Sequence, residues 1–239
     1  MTKATWVFVA GTYRTASTTQ YLIARDIVNA SGSGRGVGYY ACDKIRKFDK
    51  TFTYIACKAF KPLWECECVS HIFSDNRVKV LVTIRDPRDI ATSIRVRRDG
   101  IMEAQEPTPW FEEMATVRLP KWLGNLEKWV DLGNVVMVSR YEVMIAYLRG
   151  EVDNICKHLG IELDYRTKQA IADRYTKTAM TERRELAIQT GKRQDEWLQA
   201  IPPIIFGSSG AYKSCLSDEE RTLVEESTAK FMDRFGYTK

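Results

Sequence analysis

The chain has 239 residues, 44% of them hydrophobic and 28% charged, which is typical of a globular protein and excludes a disordered or fibrous one. Thirty-six lysines and arginines against 31 acidic residues give a net charge of +5. This excess suits a pocket for an anionic ligand and does not call for nucleic acid. No apolar run approaches the ~20 residues that cross a bilayer, and no charged-then-apolar leader opens the sequence. We therefore expect a cytoplasmic protein without a membrane span.

The cysteines and histidines do not form a metal-binding pattern. Six cysteines occur in a chain long enough to bury a core without disulfides, and no leader points to an oxidising compartment. Cys66 and Cys68 are separated by one residue, whereas structural zinc sites space their cysteine pairs by two to four and need further ligands. The sequence therefore predicts buried thiols and no metal.

Strand-like and helical patterns alternate in the first half of the chain. Residues 5–10 are β-branched and aromatic and predict a buried strand, and apolar residues at helical spacing predict a helix over 18–29. The glycine- and serine-rich stretch 31–38 predicts a loop. Strand-like runs follow at 52–57 and 78–84, and the second is apolar enough for a central parallel strand covered on both faces.

The second half of the chain is mainly helical in pattern. Asp86 and Pro87 predict a helix start, since aspartate caps helices and proline suits the first helical position. A tryptophan-rich helical stretch at about 109–131 precedes a fourth strand at 135–138. Beyond residue 141 we expect helices with breaks at Gly150, Gly160, Gly191 and Pro202-Pro203. The last helix is predicted to begin with a capping box at Ser217–Glu220 and to end at Gly236.

This order of elements predicts an α/β fold. Strands that alternate with helices form a parallel sheet, here flanked by helices and followed by a helical C-terminal half. The sequence shows no internal repeat and no linker long enough to divide the chain. We therefore expect a single domain over residues 1–239.

The first strand leads into a loop with the residues of an anion site. Residues 11–19 read Gly-Thr-Tyr-Arg-Thr-Ala-Ser-Thr-Thr and join the strand to a helix, whose free N–H groups and dipole attract anions. Arg14 adds a permanent charge with forked donors. The G-x-x-x-x-G-K-[ST] string of nucleotide triphosphatases is absent from the chain. The alternative is an ordinary Ser/Thr-capped helix with a surface arginine.

A second candidate anion site follows the strand at 78–84. Arg85 lies at the carboxyl end of that strand, where open α/β sheets bind ligands. Ser93 comes eight residues later, just over two helical turns, so both side chains are expected on the same side. The two groups can thus converge on one phosphate. The alternative is a surface Arg–Asp pair and an unrelated helix serine.

These two segments resemble sulfotransferases that use 3′-phosphoadenosine-5′-phosphosulfate (PAPS). The residues that resemble the family's 5′-phosphosulfate loop, P-[KR]-S-G-T-T, are Arg14, Thr15, Ala16, Ser17 and Thr18, and the resemblance makes these five and the adjacent Thr19 candidate donor-binding residues. Tyr13 stands in place of the proline and Ala16 in place of the glycine. Residues 85–93 reproduce the family's 3′-phosphate motif, R-[DN]-P-x-D-x-x-x-S, in full, with Arg85 and Ser93 as the binding residues.

Two later segments resemble the same family. Tyr141, in Arg-Tyr-Glu, matches the tyrosine that contacts the adenine. Residues 207–213, which begin with Gly207, resemble the R-K-G-x-x-G-x-W-K loop that folds over the nucleotide. Ile205 and Phe206 replace the Arg-Lys of that loop. Either Arg85 and Ser93 hold the 3′-phosphate almost alone, or the substitute is Lys192, Arg193 or Lys213.

The resemblance implies the P-loop-like sulfotransferase fold and transfer of a sulfuryl group from PAPS to a hydroxyl or amine of a small molecule. The product of the donor is 3′-phosphoadenosine 5′-phosphate (PAP). Ser17 and Thr18 are expected to hold the 5′-phosphate, and Arg14 takes the position of the family's catalytic lysine. No metal is required by this scheme. The acceptor and the oligomeric state stay open.

The general base of the family is missing from its usual place. Many members have a histidine in a K-x-H segment, and here Phe60 stands at that position, two residues after Lys58. A phenyl ring cannot accept a proton. The candidate bases nearby are Lys58, Lys61, His71, Asp43 and Glu65. A lysine needs a lowered pKa to serve as a base at neutral pH.

Two other functions are compatible with the sequence. One is a catalytically inactive nucleotide-binding or interaction protein of the same fold, favoured by Phe60 and by the Ile205-Phe206 replacement. The other is a P-loop-like kinase, which lacks support because no lysine follows a glycine in the first loop.

Overall fold

Five parallel strands form the centre of the computed structural model, which describes residues 3–39, 47–48, 51–64, 66–100, 103–104, 106–190 and 208–237. The strands are β1 (Thr5–Ala10), β2 (Gly34–Tyr39), β3 (Tyr54–Ala59), β4 (Val78–Ile84) and β5 (Val136–Arg140). Their order in the sheet is β2-β3-β1-β4-β5, and all four pairings are parallel. The carboxyl ends of all five strands therefore lie at one edge, where the connecting loops gather.

Helices cover both faces of this sheet. They are α1 (Ser17–Ala30), α2 (Glu67–Ser74), α3 (Pro87–Asp99), α4 (Pro109–Glu113), α5 (Leu119–Val130), α6 (Tyr141–Ala146), α7 (Leu148–Leu159), α8 (Tyr165–Arg174), α9 (Lys177–Thr190), α10 (Tyr212–Cys215) and α11 (Asp218–Phe235). A π-helical turn, Met114–Arg118, joins α4 to α5. Within the described ranges, no helix combines the length and the apolar character needed to cross a membrane.

Alternation along the strands produces two apolar cores. On one face of β1, Trp6 and Phe8 pack with residues of β4, α5 and α11. On the other face, Val7 and Val9 pack with residues of α1, α7 and α8. Successive side chains of a strand point to opposite faces, so one buried strand contributes to both cores. The predicted α/β fold, with a parallel sheet between helices and a helical second half, is confirmed.

Local signals in the sequence located several element ends. The strands predicted at 5–10 and 78–84 have those bounds. The Asp86 carboxylate accepts from the Arg88 N–H at 2.9 Å and caps α3, with Pro87 in its first turn. The last helix begins with the predicted capping box, in which Ser217 and Glu220 bond each other's backbone, and ends at left-handed Gly236.

The prediction of a loop over 31–38 is wrong, because residues 34–39 form β2. Gly34 and Gly36 allow this strand to lie directly against α1. A Cβ at Gly34 would lie 2.4 Å from the Val28 carbonyl oxygen, and one at Gly36 would lie 2.2 Å from Cγ of Arg25. Here the glycines mark a close approach between β2 and α1 and not a turn.

The predicted break at Gly150 is also wrong, because α7 runs through it. A Cβ at Gly150 would lie 2.2 Å from the Tyr147 ring, so the glycine makes room for that ring. The helices separate at Tyr147 instead, which has an extended φ of −139°. Gly160 ends α7 in the left-handed conformation, as predicted. Gly191 and Pro202-Pro203 lie outside the described residues.

A buried ion pair fixes the last helix against α3. Arg95 Nη1 donates to Glu220 Oε2 at 2.5 Å, and the two side chains are only 4% and 2% exposed. Arg95 also bonds the Cys215 carbonyl. Glu220 thus serves both the cap of α11 and the attachment of α11 to the helix that contains Ser93.

We expect Glu220→Ala to lower the free energy of unfolding by about 3–5 kcal/mol, because it leaves the Arg95 guanidinium buried without its counterion. Chemical denaturation followed by circular dichroism measures this change. The control is Glu219→Ala, which removes an exposed carboxylate from the same helix turn. A loss below about 1 kcal/mol for Glu220→Ala would contradict a structural role for the pair.

Candidate functional site

The loop between β1 and α1 has the backbone geometry of an anion-binding nest. Arg14 and Ala16 both adopt left-handed conformations, with φ of 65° and 63°. Left-handed residues in a turn orient successive N–H groups toward one concave point. Gly11 is required at the start of the loop, because a Cβ there would lie 2.2 Å from Cβ of Ser17. The loop therefore folds tightly against the first turn of α1.

The start of α1 has no side-chain cap. Its N-cap residue is Ala16, which has no side-chain acceptor. The alternative of an ordinary Ser/Thr-capped helix is therefore wrong. The first N–H groups of an uncapped helix, together with the positive end of its dipole, attract an anion. Ser17, Thr18 and Thr19 are among the residues that line the cavity at this helix end.

Thr15 has a different position from the one that the loop motif predicts. Its side chain is fully buried, and its hydroxyl donates to the Thr12 carbonyl at 3.0 Å. Thr15 does not belong to the described residues that line the cavity. Its hydroxyl therefore closes the loop on itself, which leaves only its backbone for a ligand.

Two arginines bring the two predicted anion sites into contact. Arg14 Nε donates to Ser93 Oγ at 2.7 Å, and Arg85 Nη1 donates to the Arg14 carbonyl at 3.0 Å. The Arg85 guanidinium also lies over the ring of Tyr141, 4.1 Å from its centroid. Arg14, Arg85 and Tyr141 all line the same cavity. Thus three of the four segments that resemble family motifs meet at one place.

Ser93 takes part in this contact through Arg14. Its hydroxyl is 1% exposed and accepts from Arg14, and it is not among the described residues lining the cavity. Arg14 thus links Ser93 to Arg85, and of these three residues only the two arginines line the cavity. The alternative of a surface arginine at position 85 is wrong, because Arg85 is 2% exposed.

Positive charge accumulates in this cavity. Burial, together with the nearby charges of Arg97 and Arg85, lowers the pKa of Arg14 from 12.5 to about 10. In the part of the chain that the structure describes, no carboxylate forms an ion pair with Arg14. Like charges held together in a low-dielectric space favour an anion between them.

Lys58, at the end of β3, contacts the same loop. Its Nζ donates to Thr18 Oγ1 at 2.5 Å, and the residue is 3% exposed. The ammonium lies 4.9 Å from the ring centroid of Phe60 and 5.5 Å from that of Tyr39. Burial lowers the pKa of Lys58 to about 8. Of the candidate bases, Lys58 therefore has both the position and the acidity that a base near neutral pH requires.

The cavity has a volume of about 850 Å³, which is within the range of small-molecule sites. One wall is aromatic: the Tyr13 and Phe60 rings stack with centroids 5.8 Å apart, and Tyr39 lies 5.5 Å from Phe60. These three residues are 38–55% exposed and line the cavity, so part of each is open to a ligand. The opposite wall comes from α6 to α9 and includes Tyr147, Arg149, Gln169, Asp173, Tyr175, Thr176 and Lys177.

The remaining predicted residues do not join this group. Lys61 is exposed and does not line the cavity. His71 lies on α2, which buries Val69 and Ile72 in the core and leaves the histidine exposed on its other side. Neither has the geometry of a base at this site. Several other predicted residues lie outside the described residues: Asp43, Glu65, Lys192, Arg193, Ile205, Phe206 and Gly207.

The segment after residue 207 docks on α3 through a residue that sequence reasoning overlooked. The Asp89 carboxylate accepts from the Gly210 N–H at 2.8 Å and from the Tyr212 N–H at 3.2 Å. The Arg88 guanidinium lies 4.2 Å from the Tyr212 ring centroid. Asp89 is 1% exposed, and its place in the Arg85–Ser93 motif was the available signal. Lys213 is exposed and does not line the cavity.

Comparisons with known proteins agree with this arrangement. The family model described as "Sulfotransferase domain" matches residues 58–236, which leaves the loop at 11–19 outside the match. No sequence among the curated proteins matches the chain. The described residues hold no cluster of three or more His, Cys, Asp or Glu side chains placed for a metal ion.

Two solved structures share the fold. Mouse sulfotransferase SULT7A1 complexed with PAP is 14% identical, with a TM-score of 0.66, over 95% of this chain and 84% of that chain. Retinol dehydratase in complex with androsterone and the inactive cofactor PAP is 16% identical, with a TM-score of 0.65, over 97% and 82%. At these identities the likeness is one of fold.

The lowered pKa of Lys58 predicts a pH-dependent stability. Burial lowers this pKa from 10.5 to about 8, so between these pH values the unfolded chain binds a proton that the folded chain does not. The free energy of unfolding therefore rises with pH in this window. Between pH 8 and pH 10.5, we expect the free energy of unfolding to rise by about 3 kcal/mol more in the parent protein than in the Lys58→Met variant.

Denaturant titrations at pH 7.5–10.5 measure this difference, with the exposed-lysine variant Lys61→Met as control. Identical pH dependence in the parent and in Lys58→Met would show that Lys58 titrates normally.

Proposed function

This chain belongs to the sulfotransferase family, and we propose that it transfers a sulfuryl group from PAPS to a hydroxyl or amine of a small-molecule acceptor. The observation that carries the proposal is the meeting of Arg14 and Arg85 in one cavity. These residues come from the two segments that match the 5′-phosphosulfate and 3′-phosphate motifs. PAPS has its activated sulfuryl group on the 5′-phosphate and a separate anionic group, the 3′-phosphate.

The donor set of the cavity suits a molecule with two separate anionic groups. We assign the 5′-phosphate to the nest at residues 14–16, the start of α1 and the hydroxyls of Ser17 and Thr18. We assign the 3′-phosphate to Arg85, next to the Arg14–Ser93 hydrogen bond. Tyr141, which lies under the Arg85 guanidinium, then lies beside the nucleoside. No fully buried carboxylate competes with the phosphates for Arg14 in the described residues.

Sulfuryl transfer requires positioning and charge stabilisation more than covalent catalysis. As the acceptor oxygen forms its bond to sulfur, the bond from sulfur to the 5′-phosphate oxygen breaks, and negative charge grows on that oxygen. The Arg14 guanidinium and the N–H groups of the loop stabilise this charge. They are already oriented by Ser93 and by the left-handed turn, so no reorganisation is needed during the reaction.

Lys58 is our candidate for the proton acceptor. With a pKa of about 8, a useful fraction of the side chain is neutral near physiological pH and can take the acceptor's proton. Its hydrogen bond to Thr18 holds the amine beside the anion loop. Phe60, at the position of the family histidine, contributes a ring face to the aromatic wall instead of a base.

A second candidate function is binding of the nucleotide without catalysis. It is favoured by Phe60, which has no proton-accepting group where the resemblance places one. Binding of PAP with no sulfate transfer to a broad panel of acceptors would favour this second function over the first. No observation in the structure favours a kinase.

The nucleotide assignment predicts discrimination by the 3′-phosphate. We expect the parent protein to bind PAP more tightly than AMP, which lacks only that phosphate, in isothermal titration calorimetry. Arg85→Ala removes a charged donor and is expected to weaken PAP binding by about 10–100-fold while it changes AMP binding less than threefold. The control is Arg118→Ala, because the Arg118 side chain is half exposed and its ion-pair partner among the described residues is Glu113. Equal affinity for PAP and AMP would contradict the assignment of Arg85.

The assignment of Arg14 predicts a loss of turnover. We expect Arg14→Met to lower kcat by about 100-fold or more, because it removes a donor at the oxygen where charge develops. Arg14→Lys keeps the charge and is expected to retain most of that rate. Transfer of labelled sulfate from PAPS to a panel of hydroxylated and aminated acceptors measures both. Full turnover by Arg14→Met would rule out this role.

A further inference from the structure

A buried polar network lies behind the donor-binding cavity. Gln20 Nε2 donates to Ser139 Oγ at 3.0 Å and to Glu151 Oε1 at 3.1 Å. Ser139 Oγ donates to Glu151 Oε1 at 2.7 Å, and Thr83 Oγ1 donates to Gln20 Oε1 at 2.8 Å. All four residues are at most 5% exposed. Both amide hydrogens and the carbonyl oxygen of Gln20 therefore have hydrogen-bond partners in the interior.

Each of three members is a sequence neighbour of a donor-binding segment. Gln20 follows the hydroxyl residues 17–19 at the start of α1. Thr83 is two residues before Arg85, and Ser139 is two residues before Tyr141. One amide side chain thus joins the ends of β4 and β5 to the helix that presents the anion loop. The network therefore bonds the three segments to one another.

Glu151 is the fourth member and connects the network to α7. Its carboxylate is buried and has no ion-pair partner in the described part of the chain, so its partners there are Gln20 and Ser139. A carboxylate without a counterion in the interior is costly, and it is tolerated only where donors reach it. Neither Glu151 nor Gln20 lines the 850 Å³ cavity, so neither touches a ligand there.

We propose that Gln20 and Glu151 are positioning residues that set the spacing between the anion loop and the Arg85–Tyr141 side of the donor site. This inference rests on the proposed function, because the spacing is that of the two anionic ends of PAPS. Disruption of the network is expected to weaken binding of PAP and to raise KM for PAPS. The KM for the acceptor is expected to change less.

An exchange of the two side chains tests the proposal. Gln20→Glu places two carboxylates against each other and is expected to weaken PAP binding by about tenfold or more. Glu151→Gln keeps the accepting oxygen and is expected to stay within about threefold of the parent. The double variant Gln20→Glu/Glu151→Gln restores an amide–carboxylate pair and is expected to return to within about threefold. Calorimetry with PAP measures all three, and Glu162→Gln serves as the control at an exposed carboxylate.

Two further measurements separate positioning from stability alone. Thr83→Val removes the hydrogen bond to Gln20 at nearly constant side-chain volume. It therefore tests the network in a folded protein if the Gln20→Glu variant does not fold. We expect Thr83→Val to weaken PAP binding by about threefold. Gln20→Glu or Thr83→Val with unchanged PAP affinity overturns the proposal. So does a double variant that recovers thermal stability but not PAP affinity.

Hydrogen exchange of the unliganded protein distinguishes this proposal from the proposed function. We expect amides 14–20 to exchange faster in Gln20→Glu than in the parent, and the double variant to restore their protection. If the parent does not bind PAP, the donor assignment fails, while faster exchange at 14–20 still supports the network. Unchanged exchange at 14–20 in Gln20→Glu overturns the network as a positioning device.

Discussion

The site depends on the contact between Arg14 and the segment that follows β4. The hydrogen bonds from Arg14 to Ser93 and from Arg85 to the Arg14 carbonyl join residues 79 and 71 positions apart in the chain. They place two guanidinium groups in one cavity, although like charges repel and burial penalises both. The lowered pKa of Arg14 reflects both its burial and the repulsion from neighbouring arginines. A bound anion would reduce this repulsion, because its negative charge lies close to both guanidinium groups.

The parallel sheet makes that contact possible. Because the strands run in one direction, the residues after β1, β3, β4 and β5 emerge at the same edge. They deliver the anion loop, Lys58, Arg85 and Tyr141 to one cavity. Helices outside the cavity bond to the segments that contain these groups. Asp89 on α3 bonds the segment at 210–212, and Glu151 on α7 bonds Gln20 on α1. The functional groups of the site therefore come from short segments at the strand ends. Their relative positions depend on contacts between segments that are distant in the chain.

The sequence predicted what local patterns determine. The strand at 78–84, the Asp86 cap and the capping box at Ser217 depend on neighbouring residues and appear as expected. The predictions for residues 31–38 and for Gly150 were wrong, because those glycines make room for Arg25 and Tyr147 from other turns or elements. The wall formed by α8 and α9 was not foreseen, since it has no motif and is near the cavity only through tertiary packing.

The most direct test of the account is a crystal structure of the protein with PAP bound. The account predicts the 5′-phosphate at the N–H groups of residues 14–19 and the 3′-phosphate within hydrogen-bonding distance of Arg85. The nucleoside is expected beside Tyr141, and Lys58 and the aromatic wall are expected on the opposite side of the 5′-phosphate. A nucleotide bound outside this cavity, or one whose 3′-phosphate makes no contact with Arg85, would contradict it.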